Sequence, residues 1–143
     1  MYRKGVSALI INKNQEFLLV NLTGFEERYF TIPGGGIEEG ESLEDAVYRE
    51  INEELGISKE LLESIGRSGE PLQTTFKEPK KQYTGSERYF FGFRFTGNDS
   101  DIVPQPEEVR RYKWAPINEL DKYLLFDNQL ADTMTKIKEI FEL

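Results

Sequence analysis

The sequence predicts an α/β protein built as a mixed sheet covered by helices, and three observations predict it. Two strand-like runs flank a turn near the start, a capped helix follows a glycine cluster, and strand periodicity later gives way to helical spacing. The chain has 143 residues, within the roughly 100–200 expected of one domain, so residues 1–143 read as a single domain.

The first element runs from Gly5 to Asn12 and the second from Phe17 to Thr23; the turn-prone Asn12-Lys13-Asn14-Gln15 between them predicts a hairpin. Ser42, with the acid Asp45 three residues later, predicts a helix start, and Leu55-Gly56 its end about three turns on. The stretch from Gly66 to Tyr83, with Pro71, Pro79 and three lysines, reads as a long loop. From Arg88 to Phe95 the alternation of Tyr89, Phe91, Phe93 and Phe95 predicts a strand with one face in the core. A short strand follows over Arg110 to Trp114, broken by Pro116. Leu130, Met134, Ile137 and Phe141, spaced by four, three and four behind Asp127-Asn128, predict an amphipathic final helix.

Composition narrows the chemistry. With no Cys and no His there is no thiol nucleophile, no Ser-His-Asp relay and no Cys/His zinc site. Hydrolysis must then rest on carboxylates, hydroxyls, Lys or an oxygen-bound metal. No run approaches the ~18 apolar residues of a membrane span, and the apolar run after Met1-Tyr2-Arg3-Lys4 stops at Asn12 without a cleavage site. A soluble, cytoplasmic protein without a membrane partner is expected. A net charge of −8 makes it a poor general nucleic-acid binder, so a phosphate-bearing substrate needs a local basic cluster or bridging metal ions.

Those ions have an evident place. Glu50, Glu53 and Glu54 fall at i, i+3 and i+4 of the first helix, where three carboxylates repel one another by a few tenths of a kcal/mol per pair unless something binds them. Leu43, Val47, Ile51 and Leu55 form the apolar stripe of that helix, which turns Glu50 and Glu54 inward. Partly buried oxygen ligands without His or Cys suit a hard cation such as Mg²⁺ or Mn²⁺. Arg49, four residues before Glu53, is placed to hold a carboxylate in orientation. Pro33-Gly34-Gly35-Gly36 reads first as a turn; before an acidic helix it also reads as a loop whose backbone can approach a phosphate.

Gly35, five residues, Glu41, seven residues, Arg49-Glu50-Ile51, one residue, Glu53-Glu54, one residue, Gly56-Ile57 resembles the signature of the Nudix hydrolases at every specified position. The resemblance implies an α/β/α sandwich with a mixed central sheet and Mg²⁺-dependent cleavage of a phosphoanhydride in a nucleoside-diphosphate-linked substrate. Glu50, Glu53 and Glu54 match the family's metal-binding acids, and Glu41 and Arg49 a brace for loop and helix.

Shorter matches look like the bacterial RNA pyrophosphohydrolase branch, which also acts on dinucleoside polyphosphates: Tyr2-Arg3, Phe76-Lys77-Glu78-Pro79-Lys80-Lys81, Pro106-Glu107-Glu108-Val109 and Leu124-Leu125-Phe126. Two positions depart from that branch: Gly34 stands where it has Gln, and Asp127 where it has a basic residue. On this reading Glu108 is a distal metal ligand, Glu53 the first candidate for the base and Glu108 the second. Arg3, Gly34 and Gly35 meet phosphate, Lys77, Lys80 and Lys81 offer a further basic segment, and Phe126 stacks on a base. The expected partner is a nucleotide or a 5′-phosphorylated RNA end. Hydrolysis of free nucleoside triphosphates is an alternative with the same signature. So, in another class, is a catalytically silent nucleotide-sensing module, against which the complete acid set argues.

Overall fold

Asn12 closes the first hairpin: its side-chain oxygen accepts from the backbone N–H of Asn14 at 3.0 Å and of Glu16 at 2.9 Å, while Gln15 takes the left-handed conformation at φ 62°. It joins β1 (Tyr2–Ile11) to β2 (Glu16–Leu22). The structure, a computed structural model, describes residues 1–80 and 82–143, with the backbone alone at 79 and 80.

The remaining elements are β3 (Gly34–Gly36), α1 (Leu43–Leu55), β4 (Leu62–Arg67), β5 (Leu72–Lys80), β6 (Tyr83–Phe95), β7 (Val109–Pro116) and α2 (Gln129–Ile140). The sheet runs β4-β6-β1-β2-β7, with β3 attached to β1 and β5 to β6. β1 and β6 pair in parallel from Tyr2↔Gly85 to Ile11↔Arg94, and the other pairings are antiparallel, so the sheet is mixed.

Side chains alternate across the sheet and divide the core in two. Val6, Ala8, Ile10, Phe91, Phe93 and Phe95 pack on one face against Ala46, Val47, Ile51 and Leu55 of α1. Leu9, Ile11, Phe17, Leu19 and Phe90 pack on the other with Ile137 of α2, and Phe141 closes that side edge-on to Phe17 at 5.3 Å. Each of these side chains larger than alanine contributes roughly 1.5–3 kcal/mol by leaving water. This is the α/β/α sandwich that the signature implied.

Two expectations fail. The segment read as a long loop is largely strand: β5 pairs with β6 from Leu72↔Arg88 to Thr75↔Gly85. Thr74, Thr75 and Phe76 suit a pleated surface, and pairing with β6 outweighs the prolines, which stand before the strand and near its end. The glycine cluster, read as a turn, is also extended: Gly34, Gly35 and Gly36 pair with Ser7, Val6 and Gly5, and none of the three has positive φ. No helix among the described residues is long and apolar enough to cross a membrane.

Candidate active site

α1 begins where Ser42 Oγ accepts from Asp45 N–H at 3.1 Å and ends at Gly56, left-handed at φ 64° with its N–H on Asn52 O. Arg49 projects from this helix into a cage of acceptors. Nε and Nη2 reach the two oxygens of Glu41 at 2.7 and 2.9 Å, and Nη2 also donates to Gly36 O at 3.0 Å. Nη1 donates to Glu50 at 3.0 Å and to Glu53 at 3.1 Å. Glu41 in turn accepts the N–H of Glu38. The paired Arg49 hydrogen bonds hold the Glu41 carboxyl down at about 2, and Glu41 holds the guanidinium of Arg49 far above neutral pH. Glu41 and Arg49 thus tie β3, the loop after it and α1 together.

Glu50, Glu54 and Glu108 converge, each offering one carboxylate oxygen within 4.8 Å of the others. Glu54 is 5% exposed and accepts the N–H of Gly34 at 3.0 Å. Burial, reinforced by Glu50 and Glu108, pushes its carboxyl up to about 8 against the opposing pull of Gly34 N–H and Arg88. Burial raises Glu50 as well, more than Arg49 lowers it. Glu108 arrives from the loop before β7, and backbone hydrogen bonds fix the approach: Val103 N–H donates to Leu55 O and Gln105 N–H to Glu54 O. Carbonyls at the α1 C-terminus, which lack partners within a helix, are thereby satisfied by the loop that carries Glu108. Glu53 lies outside the triple, 45% exposed and paired with Arg49, and faces the cleft between α1 and the Glu107-Glu108 loop.

Among the described residues the triple fits a divalent cation. Its donors are oxygens alone, and two of them, Glu50 and Glu54, are partly or fully buried and made harder to ionise by that burial and by neighbouring carboxylates, a cost that a bound cation removes.

The glycines of β3 are required by close approach. A Cβ at Gly34 would strike Val6 O, and one at Gly35 would fall on the Glu50 carboxylate. Gly34 therefore presents its N–H to Glu54, while Gly35 backs onto Glu50. Arg3 lies beside Gly36, exposed and without a hydrogen-bond partner among the described residues.

A cavity of about 340 Å³ opens from this cluster along the α2 side of the sheet. Glu54, Gly34 and Arg88 line it, and so do Phe126, Asp132 and Thr133. Arg88 donates to Val6 O at 3.0 Å and Ser7 Oγ at 2.9 Å; burial and the charge of Arg3 pull its pKa down, against Glu54 and Glu50. Phe126 is 38% exposed, with its ring 4.9 Å from Tyr29 and edge-on to Phe25 at 5.6 Å. It is a wall of the cavity and not a core residue.

Sequence reasoning missed Arg88, Asp132 and Thr133 as site residues. Arg88 shares a strand face with Phe90, and a lone cation on an apolar face was the available signal. Thr133 lies four residues before Ile137, within the stripe that defines α2. Lys77 is exposed on β5; Lys81 and the side chain of Lys80, expected to meet phosphate, lie outside the described residues.

A fold with helices on both faces of this mixed sheet, carrying its acids on the helix after a glycine strand, defines a class. The profile of the NUDIX domain matches residues 1–136, and the chain belongs to that family. It is 30% identical to the RNA pyrophosphohydrolase of Sphingopyxis alaskensis over 132 residues, 87% of this chain and 84% of that protein. Among solved structures, a C. elegans Ap4A hydrolase superposes with a TM-score of 0.71 at 21% identity, covering 90% of both chains. The E. coli dihydroneopterin triphosphate pyrophosphohydrolase does so with 0.74 at 19% identity, covering 96% of this chain and 99% of that one. The last two likenesses concern the fold alone.

Proposed function

We propose that the protein is a metal-dependent pyrophosphohydrolase that cleaves a phosphoanhydride in 5′-triphosphorylated RNA ends or dinucleoside polyphosphates. The observation that carries this reading is a cavity lined both by Glu54, one member of the carboxylate triple, and by the exposed aromatic ring of Phe126. Family membership supports the reaction class, and the Sphingopyxis relative supports the substrate.

Glu50, Glu54 and Glu108 would hold Mg²⁺, with Mn²⁺ as the alternative. A bound divalent cation neutralises phosphate charge and acidifies a water. The chain's own groups do the rest. Arg88 on the cavity wall, with Arg3 near enough to act on its charge, supplies positive charge for the phosphates, and Arg49 and Glu41 keep α1 in register with β3. Gly35, lacking a side chain, leaves the Glu50 carboxylate its place. Glu53 takes the proton of the attacking water: it sits beside the triple without belonging to it, and its exposure leaves the carboxylate open to solvent. Water oxygen bonds to one phosphorus, the P–O bond of the bridging anhydride breaks, and the departing phosphate keeps the electron pair. Glu108 is the second candidate for the base. Phe126 stacks on the base of the terminal nucleotide.

The test is a panel in Mg²⁺ comparing triphosphorylated RNA, dinucleoside tetraphosphate, free nucleoside triphosphates and nucleotide sugars by product analysis. The reading expects the first two to have the highest kcat/KM. A preference for free triphosphates would move the protein to nucleotide housecleaning, and no turnover of any of the four would overturn the enzyme reading.

A further inference from the structure

Beyond Glu54 and Phe126, the cavity contains a carboxylate acceptor and a hydroxyl that have no partner among the described residues. Asp132 lines the cavity from the first turn of α2, and its carboxylate has no hydrogen-bond or ion-pair partner among the described residues. Thr133, next to it, is 3% exposed and also lines the cavity, and its hydroxyl has no hydrogen-bond partner among the described residues either. No buried side-chain oxygen among those residues is left unsatisfied, so the Thr133 hydroxyl must open onto the cavity. The neighbouring Gln129 is committed elsewhere: its amide nitrogen donates to Thr31 Oγ1 at 2.8 Å and its oxygen accepts from Phe126 N–H at 3.4 Å. Gln129 thus fixes the backbone of Phe126, and Asp132 and Thr133 remain as the readers.

We propose that Asp132 and Thr133 make this cavity a guanine-selective base site, in which the Asp132 carboxylate accepts N1–H and the N2 amino group together while Thr133 Oγ1 donates to O6. The inference rests on the pyrophosphohydrolase reading above and names the base of its substrate. An ionised carboxylate only accepts, and bidentate pairing needs two adjacent donors. Guanine presents two on its Watson–Crick edge. Adenine and cytosine each present one amino group beside a ring nitrogen lone pair, which the carboxylate repels, and uracil presents one N–H between two carbonyls. The walls suit a flat ring: Leu72, Phe90 and Ile32 are apolar, and Phe126 supplies a face for stacking. Glu54 and Arg88 line the same cavity, so the phosphates of a nucleotide bound this way share it with one member of the carboxylate triple.

The test measures binding and turnover separately. Methylene-bridged GTP, ITP and ATP analogues are titrated calorimetrically in Mg²⁺ with the wild-type protein, Asp132→Asn and Asp132→Ala; kcat/KM is compared for diguanosine and diadenosine tetraphosphate. A good bidentate pair discriminates about 10- to 100-fold, so wild type should favour the guanine analogue by that factor, with the inosine analogue, which lacks the N2 amino group, between the two. Both variants should bring the guanine-to-adenine ratio to within about threefold, and the change in turnover should lie in KM. Equal binding of the three analogues by wild type overturns the proposal. So does a ratio that persists in both variants, even if they melt lower, because Asp132 would then only complement the dipole of α2. A protein that binds guanine selectively yet hydrolyses nothing keeps this inference and loses the enzyme reading; a hydrolase without base preference does the reverse.

Discussion

Glu54 shows how much of the site's behaviour is set by single side chains, because its neighbours leave it one hydrogen bond, from Gly34, and two repelling carboxylates. Glu53 stands differently, half in solvent on Arg49. If it is the base, Glu53→Gln should lower kcat by about 10²- to 10⁴-fold with the melting temperature nearly unchanged. A variant within a few-fold of wild type would move the role to Glu108. Glu108→Ala should also fall steeply, whereas Glu107→Ala, which lies outside the triple, should not; equal mild effects would reduce the pair to a solvated loop. On the cavity wall, Phe126→Leu should raise KM about 5- to 100-fold for substrates with a base and leave tripolyphosphate unaffected, the range expected for loss of ~1–3 kcal/mol of stacking. Arg3→Ala should weaken all of these substrates, since phosphate is what they share. A drop in thermal stability without a KM effect would return Phe126 to the core.

At the scale of elements, the sequence was legible where one rule decided the outcome. The stripe Leu43, Val47, Ile51, Leu55 and the Ser42 cap define α1, and the same spacing turns Glu50 and Glu54 inward, as the structure shows. Phe91, Phe93 and Phe95 give β6 its core face. Legibility failed where pairing decided. β5 exists because β6 offers it an edge, and β3 is a strand because β1 lies close enough to require three residues without side chains. The meeting of Glu108 with α1 rests on backbone hydrogen bonds from Val103 and Gln105, which no local pattern encodes; there the family resemblance supplied what periodicity did not. These elements make their own predictions. Ser42→Ala removes one cap, worth ~1 kcal/mol, and should lower the melting temperature by about 3–4 °C. Gly35→Ala should do more to activity than to folding, because the added methyl must displace the Glu50 carboxylate and with it one corner of the triple. Metal affinity measured by calorimetry would show this as a weaker site, and unchanged affinity would contradict it.

For the molecule as a whole, the buried acids link stability, pH and metal. Between pH 4.5 and about 8 folded Glu54 holds its proton while the unfolded chain has released it. Stability of the chelator-treated protein should therefore fall as pH rises through that window. Glu41, held down at about 2, acts in the opposite sense: its contribution is present above pH 4.5 and is lost as pH falls towards 2. A divalent ion held by Glu54 would compete with its proton, so the rise in melting temperature caused by Mg²⁺ should be larger at pH 8 than at pH 5.5; an equal rise at both would detach the ion from this carboxylate. The most direct test of the central claim, that Glu50, Glu54 and Glu108 hold the ion on which hydrolysis depends, is a Mg²⁺ titration of chelator-treated protein. Phosphate release from triphosphorylated RNA would be followed for wild type beside Glu54→Gln. The account predicts no turnover in chelator, saturable recovery for wild type, and a midpoint at least ~10-fold higher for the variant, since neutralising a ligand weakens the site. Full turnover in chelator, or the same midpoint for both proteins, would contradict it.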